Sequence, residues 1–266
     1  MYTDKIGDKI LDILPYDKKY VILDNHTSDP VFYASAKQVA FENEPLDSIS
    51  IDQDVFIYDT DIIKKIEQNN VVISHKEPFF EHELYMNIND LVSKKYYIDT
   101  LQGNEKKRYV PNLGILKMND LIGKKVYLNK YWELHDALHK EKKFLETMNK
   151  TSQSAITDVN SGKKEFEDLC HKLPVASPEL IIEQQTFSQV FKDKAYPLIS
   201  LPGTDIINNS TYSKSLKRDY GFAHYMATDK FTFMPEILEA LKEVDSDLYS
   251  KVMKKFKELN FSIEIK

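Results

Sequence analysis

Apolar positions recur at helical spacing over residues 3–14, with Ile6, Ile10, Leu11, Ile13 and Leu14 on the pattern and Pro15 closing it. Residues 19–23 (KYVIL) read as a strand, ended by the dense turn chemistry of residues 24–30. Residues 31–42 (VFYASAKQVAFE) have the β-branched and aromatic content of strand material, and residues 48–51 alternate as a half-buried strand does. The apolar strand at residues 55–58 runs into an acidic corner, Asp59-Thr60-Asp61, that opens a helix. Residues 71–74 form another short strand, and Pro78 starts a predicted helix, PFFEHELYMNINDLVSKK. Residues 107–128 read as strands punctuated by Gly114 and Gly123.

The second half changes character. Residues 131–148 carry Leu134, Leu138, Leu145 and Met148 in helical register. Residues 149–163 (NKTSQSAITDVNSGK) are small and polar and read as a linker. Beyond it the pattern is mostly helical: Ser177-Pro178-Glu179 is a helix start, and two helices are predicted at residues 235–244 and 246–259 before a final alternating FSIEI. The expected fold is therefore α+β. A mixed, largely antiparallel sheet forms the N-terminal part, because successive strands are too close for helical crossovers, and a mostly helical part follows. The corresponding organisation is an α+β domain over residues 1–148, the linker, and a helical region over residues 164–266 that can pack with the first.

Composition narrows the function. A chain of 266 residues buries enough surface to need no staple, and its single cysteine, Cys170, excludes an intrachain disulfide and multi-cysteine zinc sites. No apolar run approaches a membrane span and no secretory signal is evident, so a cytoplasmic protein is expected (or a virion protein, if the source is viral). Net charge is −6, and only two of the 36 basic residues are arginines, Arg108 and Arg218. Arginine is the residue suited to bidentate phosphate and base-edge contacts, so nucleic acid is an unfavoured partner. Glycine-rich phosphate loops, dinucleotide fingerprints, nucleophile elbows and calcium loops are all missing.

Three constellations could carry chemistry. Asp59 and Asp61 stand one residue apart at a strand end, where hard divalent cations find clustered oxygens. That corner resembles the DxD site of nucleotide-sugar glycosyltransferases and the nucleophile motif of haloacid-dehalogenase-type phosphatases. Each resemblance implies a metal-dependent transferase or hydrolase, although Ile63 departs from the Thr or Val of the phosphatase motif. The competing expectation is that Asp59 or Thr60 simply caps the helix.

His135 and His139 lie at i and i+4 of a helix, the spacing with which metalloproteases hold zinc, but Asp136 stands where a glutamate base is needed. Arg218 to His224, RDYGFAH, resembles the Rx4-6H motif of HEPN-type ribonucleases, which implies that Arg218 and His224 act on an RNA phosphate.

Aromatic residues are plentiful, with 16 Tyr and 14 Phe. Tyrosine is enriched at protein interfaces. The expectation is a non-enzymatic interaction or structural component of a bacterial or phage assembly, or an accessory factor, whose partner is another protein or a second copy. It has no cofactor beyond a possible divalent cation. The alternatives are the metal-dependent enzyme centred on Asp59 and Asp61 and the ribonuclease.

Overall fold

The computed structural model describes residues 1–26, 35–78, 109–141, 178–191, 194–199, 221–224 and 229–259. In chain order the elements are β1 (Tyr2–Thr3), α1 (Lys5–Ile10), a 3-10 turn (Leu11–Ile13), β2 (Tyr20–Val21), α2 (Ser35–Asn43), β3 (Ile49–Ile51), β4 (Val55–Ile57) and α3 (Asp61–Glu67). They continue with β5 (Val71–Pro78), β6 (Tyr109–Met118), α4 (Leu121–His139), α5 (Pro178–Phe191), β7 (Tyr196–Ile199), β8 (Phe222–His224), α6 (Asp229–Val244) and α7 (Ser246–Glu258). The chain is α+β, as its pattern predicts. Contacts group it into two units: Met1–Asn25, Gln53–Asp61 and Ile207–Lys266 make the first, His26–Asp52 and Ile62–Ile206 the second. The linker at 149–163, the helix expected beyond Pro78, Cys170, Arg218 and the final FSIEI lie outside the described residues.

The second unit is built on a four-stranded sheet of order β3-β6-β5-β7. β3 and β5 both run antiparallel to β6, while β7 joins β5 in parallel. The first five residues of β5 are all buried, which explains a continuous apolar run where a half-solvated strand would alternate. The β5–β6 ladder is interrupted by a bulge: Ile73 faces Leu116 and His75 faces Asn112, so Ser74 alone opposes Leu113, Gly114 and Ile115. Side chains replace the missing ladder bonds. Ser74 Oγ accepts the Ile115 amide at 2.6 Å, and Asn112 Oδ1 accepts that of Gly114 at 3.0 Å.

Helix α4 packs on α5, and α5 on β6. Phe41, Ile73, Leu116, Tyr127, Phe187 and Phe191 belong to one buried cluster. Asp120 caps α4 by accepting the Gly123 amide at 2.9 Å. Gly123, which the sequence assigns to a strand break, therefore sits in the first turn of a helix. A side chain there would collide with the Phe191 ring, so the glycine lets α5 approach closely.

Lysines cap helices in this unit. Lys117 Nζ donates to the Ile66 and Glu67 carbonyls at the end of α3, both at 3.1 Å. Lys124 Nζ donates to Glu44 O at 2.8 Å just beyond α2 and lies 4.4 Å from the centre of the Phe41 ring. Cations suit helix C-termini because unpaired carbonyls concentrate negative potential there.

Two sequence assignments change. Residues 31–42 read as strand, yet residues from Ser35 onward form α2, and Ser35, Gln38 and Phe41 are buried at helical spacing. Packing on one face outweighs the local β propensity. Of the region 107–128, the described residues form one strand, β6 (Tyr109–Met118), and then the start of α4, rather than a series of strands.

The first unit contains two small two-stranded sheets. In one, β1 and β2 are parallel, with Tyr2 stacked on Tyr20 at 4.9 Å between ring centres. In the other, β4 and β8 are antiparallel, pairing Val55 with His224 and Ile57 with Phe222. The last three residues of RDYGFAH, Phe222 to His224, form strand β8, and Gly221 takes a positive φ of 80° immediately before it. Helix α6 starts at Asp229 and runs through Pro235, and it contacts α7. Asp245 caps α7 by accepting the Leu248 amide at 2.8 Å. Lys255 Nζ meets Asp12 at 3.1 Å.

Candidate functional site

Among the described residues, polar groups converge in the second unit, at the β5–β6 bulge. Lys37 of α2 directs Nζ at Asp52 Oδ1 (2.9 Å), Glu183 Oε1 (3.3 Å) and the Leu113 carbonyl (2.9 Å). Gln38, the next residue of α2, donates to Glu183 Oε1 at 2.7 Å and accepts the Tyr127 hydroxyl at 2.9 Å. Asp52 follows β3 and is held there by its amide, which donates to Gly114 O at 2.8 Å. Four elements of chain therefore meet at one ammonium, α2, the end of β3, β6 and α5. The Glu183 side chain is 7% exposed, Lys37 22% and Asp52 31%, so the network opens towards solvent on the Asp52 side.

Its charges do not balance, since one lysine serves two carboxylates. Burial opposes the charge on Lys37, but Glu183 and Asp52 together outweigh it and hold the ammonium well above the ordinary lysine range. Burial, assisted by the Asp52 charge, raises the Glu183 carboxyl against the pull of Lys37. Burial likewise pushes the Tyr127 phenol up, so it stays a hydrogen-bond donor to Gln38. The ammonium occupies the centre of an oxygen-lined site, with three acceptors around it. Chemically it is a tethered cation, and the arrangement ties α2, β3, β6 and α5 together. Nothing in the sequence singles these residues out, because Lys37, Asp52 and Glu183 are far apart in the chain and match no spacing rule.

His135 and His139 do come together, with ring centres 4.6 Å apart. They share α4 with Tyr131 and Trp132, whose rings lie 6.1 and 5.1 Å from that of His135. His26 joins the same neighbourhood, with its ring 6.4 Å from Trp132. His135 is buried and His139 is intermediate. Burial, and then the neighbouring His139 and His26, depress the His135 imidazole below its ordinary pKa against the opposing pull of Asp136. Among the described residues no three His, Cys, Asp or Glu side chains stand together so as to hold a metal ion.

The acidic corner is a helix start. Asp59 Oδ1 accepts the Asp61 amide at 2.9 Å, which satisfies one of the unpaired donors of the first turn. The Tyr58 and Asp59 amides both donate to Gly221 O, at 2.8 and 3.0 Å. The Asp59 corner therefore sits beside Gly221, at the start of β8. His224 pairs with Val55 at the far end of that ladder, away from Asp59.

No protein family, curated protein or solved structure matches the chain. Among the described residues no helix is long and apolar enough to cross a membrane.

Proposed function

We propose that this chain is a non-enzymatic interaction or structural component of a cytoplasmic or virion assembly, and that its first unit presents the surface that binds another protein chain. One observation carries the reading. In the first unit the buried apolar side chains among the described residues are Leu23, Phe222 and Leu238, whereas Ile6, Ile10, Tyr16, Tyr20, Val21 and Ile22 are exposed, Ile6 at 71%. Large apolar residues left in water cost stability that burial would recover, about 1.5–3 kcal/mol for a complete side chain. A concentration of them within a short segment marks surface awaiting a partner. Helix α7 supports the same reading: its apolar residues Leu248, Tyr249, Val252, Met253 and Phe256 are only half-buried, and no residue of the helix is buried.

The lysine-centred network of the second unit does not compete with this reading. Its ammonium already fills the position a ligand cation would take, and Asp59 caps a helix.

Cross-linking in cells followed by denaturing electrophoresis tests the proposal. The expected result is a species heavier than the monomer, abolished by Ile6→Glu with Ile22→Glu while the purified variant keeps its helical circular dichroism. A wild-type chain that runs only as the monomer after cross-linking would refute it.

A further inference from the structure

The last turns of α4 bring two imidazoles into the geometry of a chelate. His135 and His139 stand one above the other on the helix, with ring centres 4.6 Å apart and ring planes at 66°. A metal–imidazole bond is about 2.0–2.1 Å long, and a ring nitrogen lies about 1.2 Å from its ring centre. Two imidazoles sharing one ion at an angle of about 90° therefore hold their ring centres about 4.5–4.7 Å apart, against about 5.3 Å at the tetrahedral angle. The spacing found in α4 is that of the right-angled pair.

Three further features suit a cation there. Nδ1 of His135 faces the Asp136 carboxylate at 3.5 Å. A carboxylate beside one ring nitrogen fixes the orientation of a ligating histidine and leaves the other nitrogen, here Nε2, as the donor. Burial favours the neutral His135 imidazole, the form that ligates metal. His139 is the last residue of α4, where the unpaired carbonyls of a helix end concentrate negative potential. The pair is open to entry from solvent, since His139 is only half-buried and the Asp136 side chain is 79% exposed.

We propose that His135 and His139 together bind one divalent transition-metal ion, copper(II) or nickel(II) in preference to zinc(II), with water in the remaining positions. The right-angled spacing matches the tetragonal preference of copper(II) and nickel(II), whereas zinc(II) favours a tetrahedron. Magnesium and calcium, which take oxygen ligands, are not bound by this pair. Two protein ligands make a site that exchanges its ion with solution, unlike a closed structural centre with four. Asp136 is a positioning residue: it acts on the metal through the His135 ring. The site belongs to the second unit and is independent of the interaction reading, which concerns the first.

Trp132 reports the site directly, because it is the sole tryptophan and its ring lies 5.1 Å from that of His135. The experiment is a titration of the purified full chain with copper(II), and separately with nickel(II), zinc(II) and magnesium, in a buffer that does not chelate metals. Copper(II) should quench the tryptophan fluorescence saturably at one ion per chain, and magnesium should leave it unchanged. His139→Ala should raise the apparent dissociation constant for copper(II) at least tenfold. Asp136→Asn should raise it about 10-fold, at the lower end of the effect of removing a carboxylate that orients a ligand, because Asp136 is exposed. Both substitutions lie on the open side of α4, and unchanged helical circular dichroism checks that the variants fold. In a thermal-shift series the melting temperature of the wild type should rise with nickel(II) more than with zinc(II) at equal concentration, and His139→Ala should lose the rise. Quenching that never saturates, or that is the same in His139→Ala as in the wild type, overturns the site. Zinc(II) binding more tightly than copper(II) overturns the right-angled geometry assigned to it.

Discussion

Replacing Lys37 by Met tests whether the network at the β5–β6 bulge holds the second unit together. Methionine keeps the unbranched stem but deletes the charge, which leaves Asp52 and Glu183 facing each other with the Leu113 carbonyl short of a donor. Breaking a buried ion pair by removing one partner costs about 3–5 kcal/mol. The lower end applies, about 3 kcal/mol, because Asp52 is 31% exposed and water can solvate its carboxylate. With a urea m-value of about 2 kcal/mol/M, the unfolding midpoint should fall by roughly 1.5 M.

A second substitution separates charge from packing. In Lys37→Met with Glu183→Gln, the amide oxygen still accepts from Gln38 while the stranded charge is gone. Most of the loss should return, for a coupling of about 2 kcal/mol.

The pH dependence has a definite sign. Without Lys37, the Glu183 carboxyl, already raised by burial, rises further. A folded pKa above the unfolded one means the folded state binds the proton more tightly, so stability is gained as pH falls towards the ordinary glutamate value of 4.5. The deficit of Lys37→Met relative to wild type should therefore be smaller at pH 5.5 than at pH 7.5. Trp132, the sole tryptophan, lies in the same unit and reports unfolding by fluorescence. A midpoint unchanged at pH 7.5 would show that the network does not support the fold, and a deficit equal at both pH values would show that the stranded Glu183 charge is not its cause.

Acid should destabilise the second unit through His135. Its folded pKa is depressed, so its contribution is complete above the ordinary value of 6.5 and is lost as pH falls through the folded value. Tm should drop between pH 7.5 and 5.5, and less steeply in His135→Gln; equal slopes would remove His135 as the cause. Gly123→Ala should destabilise even though alanine favours helices by about 1 kcal/mol, because overpacking against Phe191 costs about 1–3 kcal/mol. Adding Phe191→Leu should return part of the loss, and a Gly123→Ala variant as stable as the wild type would contradict the close packing of α4 on α5.

The sequence by itself determined whatever rests on neighbours in the chain. Alternation and apolar runs located β3, β4 and β5, the Ser-Pro-Glu start located α5, and the acid at residue 59 announced a helix cap that Asp59 indeed forms. These are local effects, set within a turn or two. Tertiary structure decided the rest. Residues from Ser35 to Asn43 form a helix because Gln38 and Phe41 are wanted on one buried face, which local β propensity cannot express. Gly123 serves a helix contact with a ring 68 positions away in the chain, so its local reading as a breaker misleads. Lys37, Asp52 and Glu183 meet only once the sheet has brought α2, the end of β3 and α5 to one bulge. An isolated lysine or glutamate carries no mark of burial, since its charge is unfavourable inside a protein until the partners that repay its desolvation are assembled around it.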